Sequence, residues 1–156
     1  MSSAAPNKKA QTSPTSRARS RGRELALKYL YQADLRGADA ESFAAFAEHQ
    51  EEGGTAASFG GTLATGVLAR KTDLDGAIAR VARNWSISRM PVIDRNILRI
   101  GAFELLGDDP LPRGVVINEA IELAKRFSTA DSGKFINGIL DKIGRGEDDV
   151  SGKKES

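Results

Sequence analysis

No cysteine occurs in the 156 residues, which excludes disulfides, thiol nucleophiles and thiolate metal sites. Nothing in the chain then requires an oxidising compartment. Histidine occurs once, as His49, in a polar segment with Glu48 and Glu51. Zinc binding or an imidazole relay would need a second histidine, so a surface side chain is the favoured reading. No run approaches the roughly 18 consecutive apolar residues of a membrane span. The start of the chain also lacks the apolar segment and small-residue cleavage site of a secretory signal. A cytoplasmic location without a membrane is expected.

Sustained strand alternation bounded by hairpin turns is missing too, and the β-branched residues fall within 3.6-residue patterns. The fold expected is all-α, with about seven helices. A phosphate loop is lacking: Asp131-Ser-Gly-Lys134 has Ser128 where the first glycine belongs and Phe135 after the lysine. The acidic pairs Glu51-Glu52, Asp108-Asp109 and Asp148-Asp149 have neither EF-hand spacing nor a histidine partner, and read as solvated or helix-end charge. No cofactor, metal or catalytic residue is expected.

What is present is a charge asymmetry. Residues 1 to 36 hold eight Lys/Arg against Glu24 and Asp34, while acids outnumber bases in the remainder. Residues 1–16 carry no apolar side chain larger than alanine after Met1, and are expected to form a disordered basic tail. A helical domain should follow over 17–144, then a polar tail over 145–156.

From Arg21 the residues Leu25, Ala26, Tyr29, Leu30 and Ala33 recur at helical spacing up to Gly37. A short helix is expected around Phe43 to Ala47. Two more follow, on Phe59, Leu63 and Val67 and on Leu74, Ile78, Val81 and Trp85, the latter capped by Thr72 or Asp73. Gly60, Gly61 and Gly66 cost the former about 1 kcal/mol each relative to alanine. Close helix packing would explain them. Pro91 suits the opening turn of a broadly apolar helix ending near Gly107, which should be central. Val116 to Phe127 forms the next helix. Ser132 or Asp131 should cap the last, which carries Phe135, Ile136, Ile139, Leu140 and Ile143 and stops at Gly144.

One stretch competes with its bland reading. Arg17, Arg19, Arg21 and Arg23 place four guanidinium groups in seven residues at the start of a helix that adds Lys28. They suit phosphate contacts and base stacking, against simple solubilisation or an acidic protein partner. Single-stranded RNA fits better than duplex DNA, because no separate recognition helix rich in Arg, Asn or Gln is present. Trp85 ends an apolar stripe without a bracketing basic cluster, so packing between helices is favoured over base stacking. Tyr29 is expected in the core with its hydroxyl near the rim, and Tyr31, about 160° around the helix, at the surface. Asn118 and Asn137 are expected to bond backbone or one another, and Arg95 and Arg99 to pair with Asp94, Glu104 or Glu122.

Several segments together resemble the NusB family of transcription antitermination proteins. They are Val115 to Phe127 (VVINEAIELAKRF), Ser132 to Ile143 (SGKFINGILDKI), Asn84-Trp85, Asp94 to Ile100 with Glu104-Leu105, and Arg23 to Gln32. In family order they cover residues 17 to 143. The resemblance implies two small packed helical subdomains and no catalysis. It also implies binding of the boxA element of ribosomal RNA transcripts together with NusE, a small-subunit ribosomal protein, within an RNA polymerase antitermination complex.

Carried onto this chain, the resemblance gives Arg17, Arg19, Arg21, Arg23, Asp131, Lys134 and Phe135 as RNA-binding residues. Tyr31 and Asp94 fall on the NusE-facing side. Chemically, Lys134 suits a phosphate. Asp131 suits a helix cap or a base amino group, and Phe135 would stack on a base only by leaving the apolar side of its helix. The arginines alternate with Ala18, Ser20 and Gly22 where the family has a denser block. Two other functions compete: a partner domain for an RNA methyltransferase, since such enzymes can carry a similar domain, and a protein-binding scaffold without RNA specificity. The first meets neither a glycine-rich cofactor loop nor a cysteine nucleophile here.

Overall fold

The computed structural model describes residues 14–108 and 111–146. Expectations for residues 1–13 and 147–156 of the two tails, and for Asp109, lie outside them. Seven α-helices occur among the described residues: α1 (Ser16–Arg36), α2 (Phe43–His49), α3 (Gly54–Ala69), α4 (Lys71–Val81), α5 (Val92–Leu106), α6 (Arg113–Phe127) and α7 (Ala130–Gly144). Short 3-10 turns follow α1 and α4. No strand occurs among those residues, and no helix is long and apolar enough to cross a membrane.

Helix boundaries follow local chemistry, which moves several of them from where the apolar pattern put them. α1 starts at Ser16, before the first apolar residue, because the Thr15 hydroxyl accepts the Ala18 N–H at 3.0 Å. Its end is closed by Gly37, whose N–H bonds to the Ala33 carbonyl at a φ of +60°. α4 ends at Val81 instead of continuing to Trp85, and no side chain caps its start. Pro91 and Pro112 sit immediately before α5 and α6. The cap of α7 is Thr129, which accepts the Ser132 N–H at 3.1 Å; Asp131 and Ser132 lie inside the first turn.

α5 is the centre of the molecule, packing against α1, α3, α4, α6 and α7. Ile97, Leu98, Ile100 and Ala102 supply its buried surface. Around it α1–α3 form one group and α4–α7 the other. The core is largely aliphatic, with Leu25, Leu27, Leu30, Leu63, Val67, Leu74, Ile78, Ile136 and Leu140 almost fully buried. Each such side chain contributes about 1.5–3 kcal/mol by leaving water. Tyr29 joins the core as expected, edge-on to Phe43 and Phe46, and donates its hydroxyl to the Glu41 carbonyl.

Where α1 crosses α3, Gly22 and Gly60 bring the two backbones together. A Cβ on Gly60 would lie 2.8 Å from the Gly22 carbonyl oxygen, so the crossing has no room for one. This supplies the packing reason anticipated for Gly60.

A polar cluster joins α1, α4 and α5. Arg95 grips Asp34 through two bonds of 2.9 and 3.0 Å, and Asn96 donates to the same carboxylate at 3.0 Å. Arg99 bridges Asp34 at 3.1 Å and Asp75 at 2.7 and 3.0 Å. The partners expected for Arg95 and Arg99 were Asp94, Glu104 and Glu122. Asp34 and Asp75 take that place because the α1 and α4 packing turns them toward this face of α5. Asn118 and Asn137, expected to bond backbone or one another, are exposed, while Asn96 donates to the Val92 carbonyl.

Candidate nucleic-acid interface

A helix rotates about 100° per residue, so alternating arginines cannot share one face. Arg17, Arg21 and Lys28 fall within about 40° of each other, with Arg19 and Arg23 on the opposite side. The structure follows that division. Arg17 is exposed, and Arg21 is partly exposed while paired with Glu24 and Glu52 at 3.0 Å each. Arg19 is half-buried against a groove that contains Phe59, Leu63 and Phe103.

Arg23 is 2% exposed. Its guanidinium makes two 2.8 Å bonds to Glu104, approaches Glu119 at 3.5 Å and stacks over Phe59. The surface role expected for Arg23 is therefore replaced by a buried, structural one.

Glu24 organises the exposed stripe. Its carboxylate meets Arg126 at 2.9 Å, Arg21 at 3.0 Å and Lys28 at 3.4 Å. Burial works to raise its pKa, but the charges of Arg126, Arg21 and Lys28 outweigh that and hold it below the ordinary value. Lys28 and Arg126 both lie over the ring of Phe127. Glu24 thus fastens the cationic face of α1 to the end of α6, immediately before the corner leading into α7. Lys28 was already part of the basic stretch read from the sequence; nothing local in the sequence brings Arg126 there, 102 residues from Glu24.

At that corner Asp131 and Lys134 are exposed, and Phe135 is half-buried. Asp94 is 3% exposed and accepts the hydroxyls of Ser128 and Ser132 at 2.7 Å each. Its carboxylate ties α5 to the α6–α7 corner, which uses both oxygens within the chain. Asp94, Asp131 and Phe135 nevertheless line one cleft, with Trp85, Met90 and Pro91. Trp85 is 54% exposed, against the packing expected for it, and meets Phe135 edge-on at 5.6 Å.

Tyr31 stands elsewhere, on the second half of α1. It is 38% exposed, and Leu35 one turn later is 60% exposed, so a small apolar face opens there. Leu35 was not singled out in the sequence, where the apolar stripe through Leu25, Tyr29 and Ala33 drew the reading to the other side of the helix. No cluster of His, Cys, Asp and Glu suited to a metal occurs among the described residues. The arrangement offers cations, aromatic rings and the exposed carboxylate of Asp131, a set of groups chemically suited to a polyanion with bases.

Residues 20–145 match the family model described as the NusB family. The transcription antitermination protein NusB of Geobacter sulfurreducens is 47% identical over 128 residues, covering 81% of this chain and 93% of the relative. That of Heliobacterium modesticaldum is 41% identical over 140 residues, covering 88% and 68%. Among solved structures, T. maritima NusB superposes with a TM-score of 0.74 at 34% identity, covering 94% of this chain and 100% of that one. A chain from a complex of antitermination factors NusB and NusE with double-stranded RNA superposes with a TM-score of 0.73 at 28% identity, covering 85% and 99%. With seven helices among its described residues and this extent of match, the chain belongs to the NusB family.

Proposed function

We propose that this protein is a non-catalytic adaptor of transcription antitermination that binds the boxA element of ribosomal RNA transcripts together with NusE and so joins an RNA polymerase complex. The observation that carries the reading is the cationic cluster of Arg21, Lys28 and Arg126 around Glu24, with exposed Arg17 on the same face of α1, at the end of α6 that leads into the corner carrying Asp131, Lys134 and Phe135. In this reading Arg17, Arg21 and Lys134 meet phosphates, whereas Arg19, on the opposite side of α1 against the Phe59 groove, lies off their stripe. Asp131 accepts from a base donor and Phe135 meets a base. Arg23 acts from beneath, by fixing the start of α1 on α5. Tyr31 with Leu35 forms the NusE-facing surface, and Asp94 holds the α7 corner in register.

Fluorescence anisotropy of labelled boxA RNA and a scrambled RNA, with and without NusE across a salt series, tests the reading. The expected result is a boxA preference that tightens with NusE. Arg17→Gln and Lys134→Gln should each reduce the logarithmic salt slope by roughly 0.7, the value for one phosphate contact on a single strand. Equal binding of both RNAs in every condition would reject boxA recognition and favour a protein scaffold.

A further inference from the structure

We propose that Trp85 is a base-stacking residue, and that with Phe135 it forms an aromatic partition against which one unpaired nucleobase is held. The inference rests on the RNA-binding reading above.

The ring is held out of the core by the chain itself. Helix α4 stops at Val81, and the Trp85 N–H bonds back to the Ala82 carbonyl at 3.0 Å in the turn that follows. A side chain this large, left 54% exposed, gives up most of the burial that an indole supplies to a core. Its aromatic contact is the edge-on approach to Phe135, with ring planes 66° apart. That contact fixes the orientation of the indole while leaving ring surface open.

The two sides of the partition differ in chemistry. On one lies a cleft of about 300 Å³ with Met90 and Pro91 as apolar floor and Asp131 and Ser132 at its edge. On the other lies a cleft of about 350 Å³ lined by Asn84, Lys134 and Lys142. Apolar ring surface with a carboxylate acceptor on one side, and ammonium groups on the other, complements a nucleotide: base against ring, base donor to Asp131, phosphate toward the lysines. An apolar peptide side chain would use the floor but leave Asp131 and the lysines without partners, so the charge pattern favours RNA.

Trp85 is the single tryptophan of the chain, so its emission reports this site alone. The full chain would be titrated with labelled boxA RNA, reading anisotropy and tryptophan emission on one sample, with Trp85→Ala and Trp85→Phe run by anisotropy. Quenching that saturates together with anisotropy is expected. Trp85→Ala should weaken boxA binding roughly tenfold, as expected for one lost stack, with the salt slope unchanged because no phosphate contact is removed. Trp85→Phe should stay within about threefold of the wild type. Circular dichroism melting of Trp85→Ala checks that the fold is intact; undisturbed emission in the RNA-bound wild type overturns the proposal without any variant.

Wild-type affinity in Trp85→Ala also overturns it, while leaving boxA binding by the rest of the face standing. If emission changes with NusE alone and RNA adds nothing, the ring belongs to a protein interface and the proposal fails. If the wild type does not bind boxA RNA at all, the adaptor reading falls as well.

Discussion

Arg23 and Arg21 are two residues apart in sequence and meet opposite fates. Arg21 reaches Glu24 and Glu52 at the rim, where solvent weakens each pair to a fraction of a kcal/mol. Arg23 is enclosed with Glu104, 81 residues away, and desolvation of both ions is offset by their two short bonds. Replacing one partner would strand the other. Arg23→Leu is expected to cost about 3–5 kcal/mol in urea unfolding, because Glu104 is left buried and unpaired. Changing Arg23 and Glu104 together to Met should recover most of that loss. In the same variants the salt slope of RNA binding should stay at its wild-type value, in contrast to Arg17→Gln. A shallower slope with unchanged stability would return Arg23 to the RNA surface. The sequence displayed the four arginines as one group, and the helical angle alone separates them into two faces. Which face is buried depends on Glu104, and that is decided only when α5 packs against α1.

At the scale of elements, the Gly22–Gly60 contact sets how closely α1 and α3 cross. Gly60→Ala gains about 1 kcal/mol of helix propensity, but its Cβ would stand 2.8 Å from a backbone oxygen that has no rotamer to change. Overpacking of this kind typically costs about 1–3 kcal/mol, so the expected net effect is a lowered urea midpoint. Gly76→Ala in α4 is the control. Its nearest neighbour would be the tip of Arg80 at 3.6 Å, so the propensity gain should appear as added stability of about 0.5–1 kcal/mol. Equal stabilisation by both substitutions would mean that the crossing tolerates a methyl group. The helices themselves were legible because their apolar residues repeat every three or four positions. Their ends were less so: Thr15 extends α1 through a polar stretch that carries no apolar signal, and Trp85 keeps perfect spacing with Val81 although the helix has already stopped. The same misleading spacing hid the exposed ring, the feature of the site least visible from sequence.

Across the whole molecule, the cluster on Asp34 binds the two helical groups together through α1, α4 and α5. Burial by itself would raise the Asp34 carboxyl. The hydrogen bonds from Arg95 and Asn96, with the charges of Arg95 and Arg99, prevail and hold it at about 2, against 3.8 for an ordinary aspartate. A carboxyl depressed on folding contributes its stability above the unfolded pKa and loses it as pH falls through the folded one. The contribution, about 2 kcal/mol, should therefore be fully present at neutral pH and decline from roughly pH 4 toward pH 2. Asp34→Asn tests this through urea unfolding at pH 7 and pH 2.5. At pH 7 the variant should be clearly less stable than wild type, since Arg95 and Arg99 lose their shared counter-charge; at pH 2.5, close to the folded pKa, the difference should have shrunk by more than half. Because Asp34 lies one turn beyond Tyr31 on α1, loosening the cluster should also weaken the surface of Tyr31 and Leu35 proposed to face NusE. NusE affinity of Asp34→Asn at pH 7 should then fall more than its affinity for RNA alone. A stability difference that persists unchanged at pH 2.5 would place the effect in packing, and the cluster would then hold the two groups by shape instead of charge.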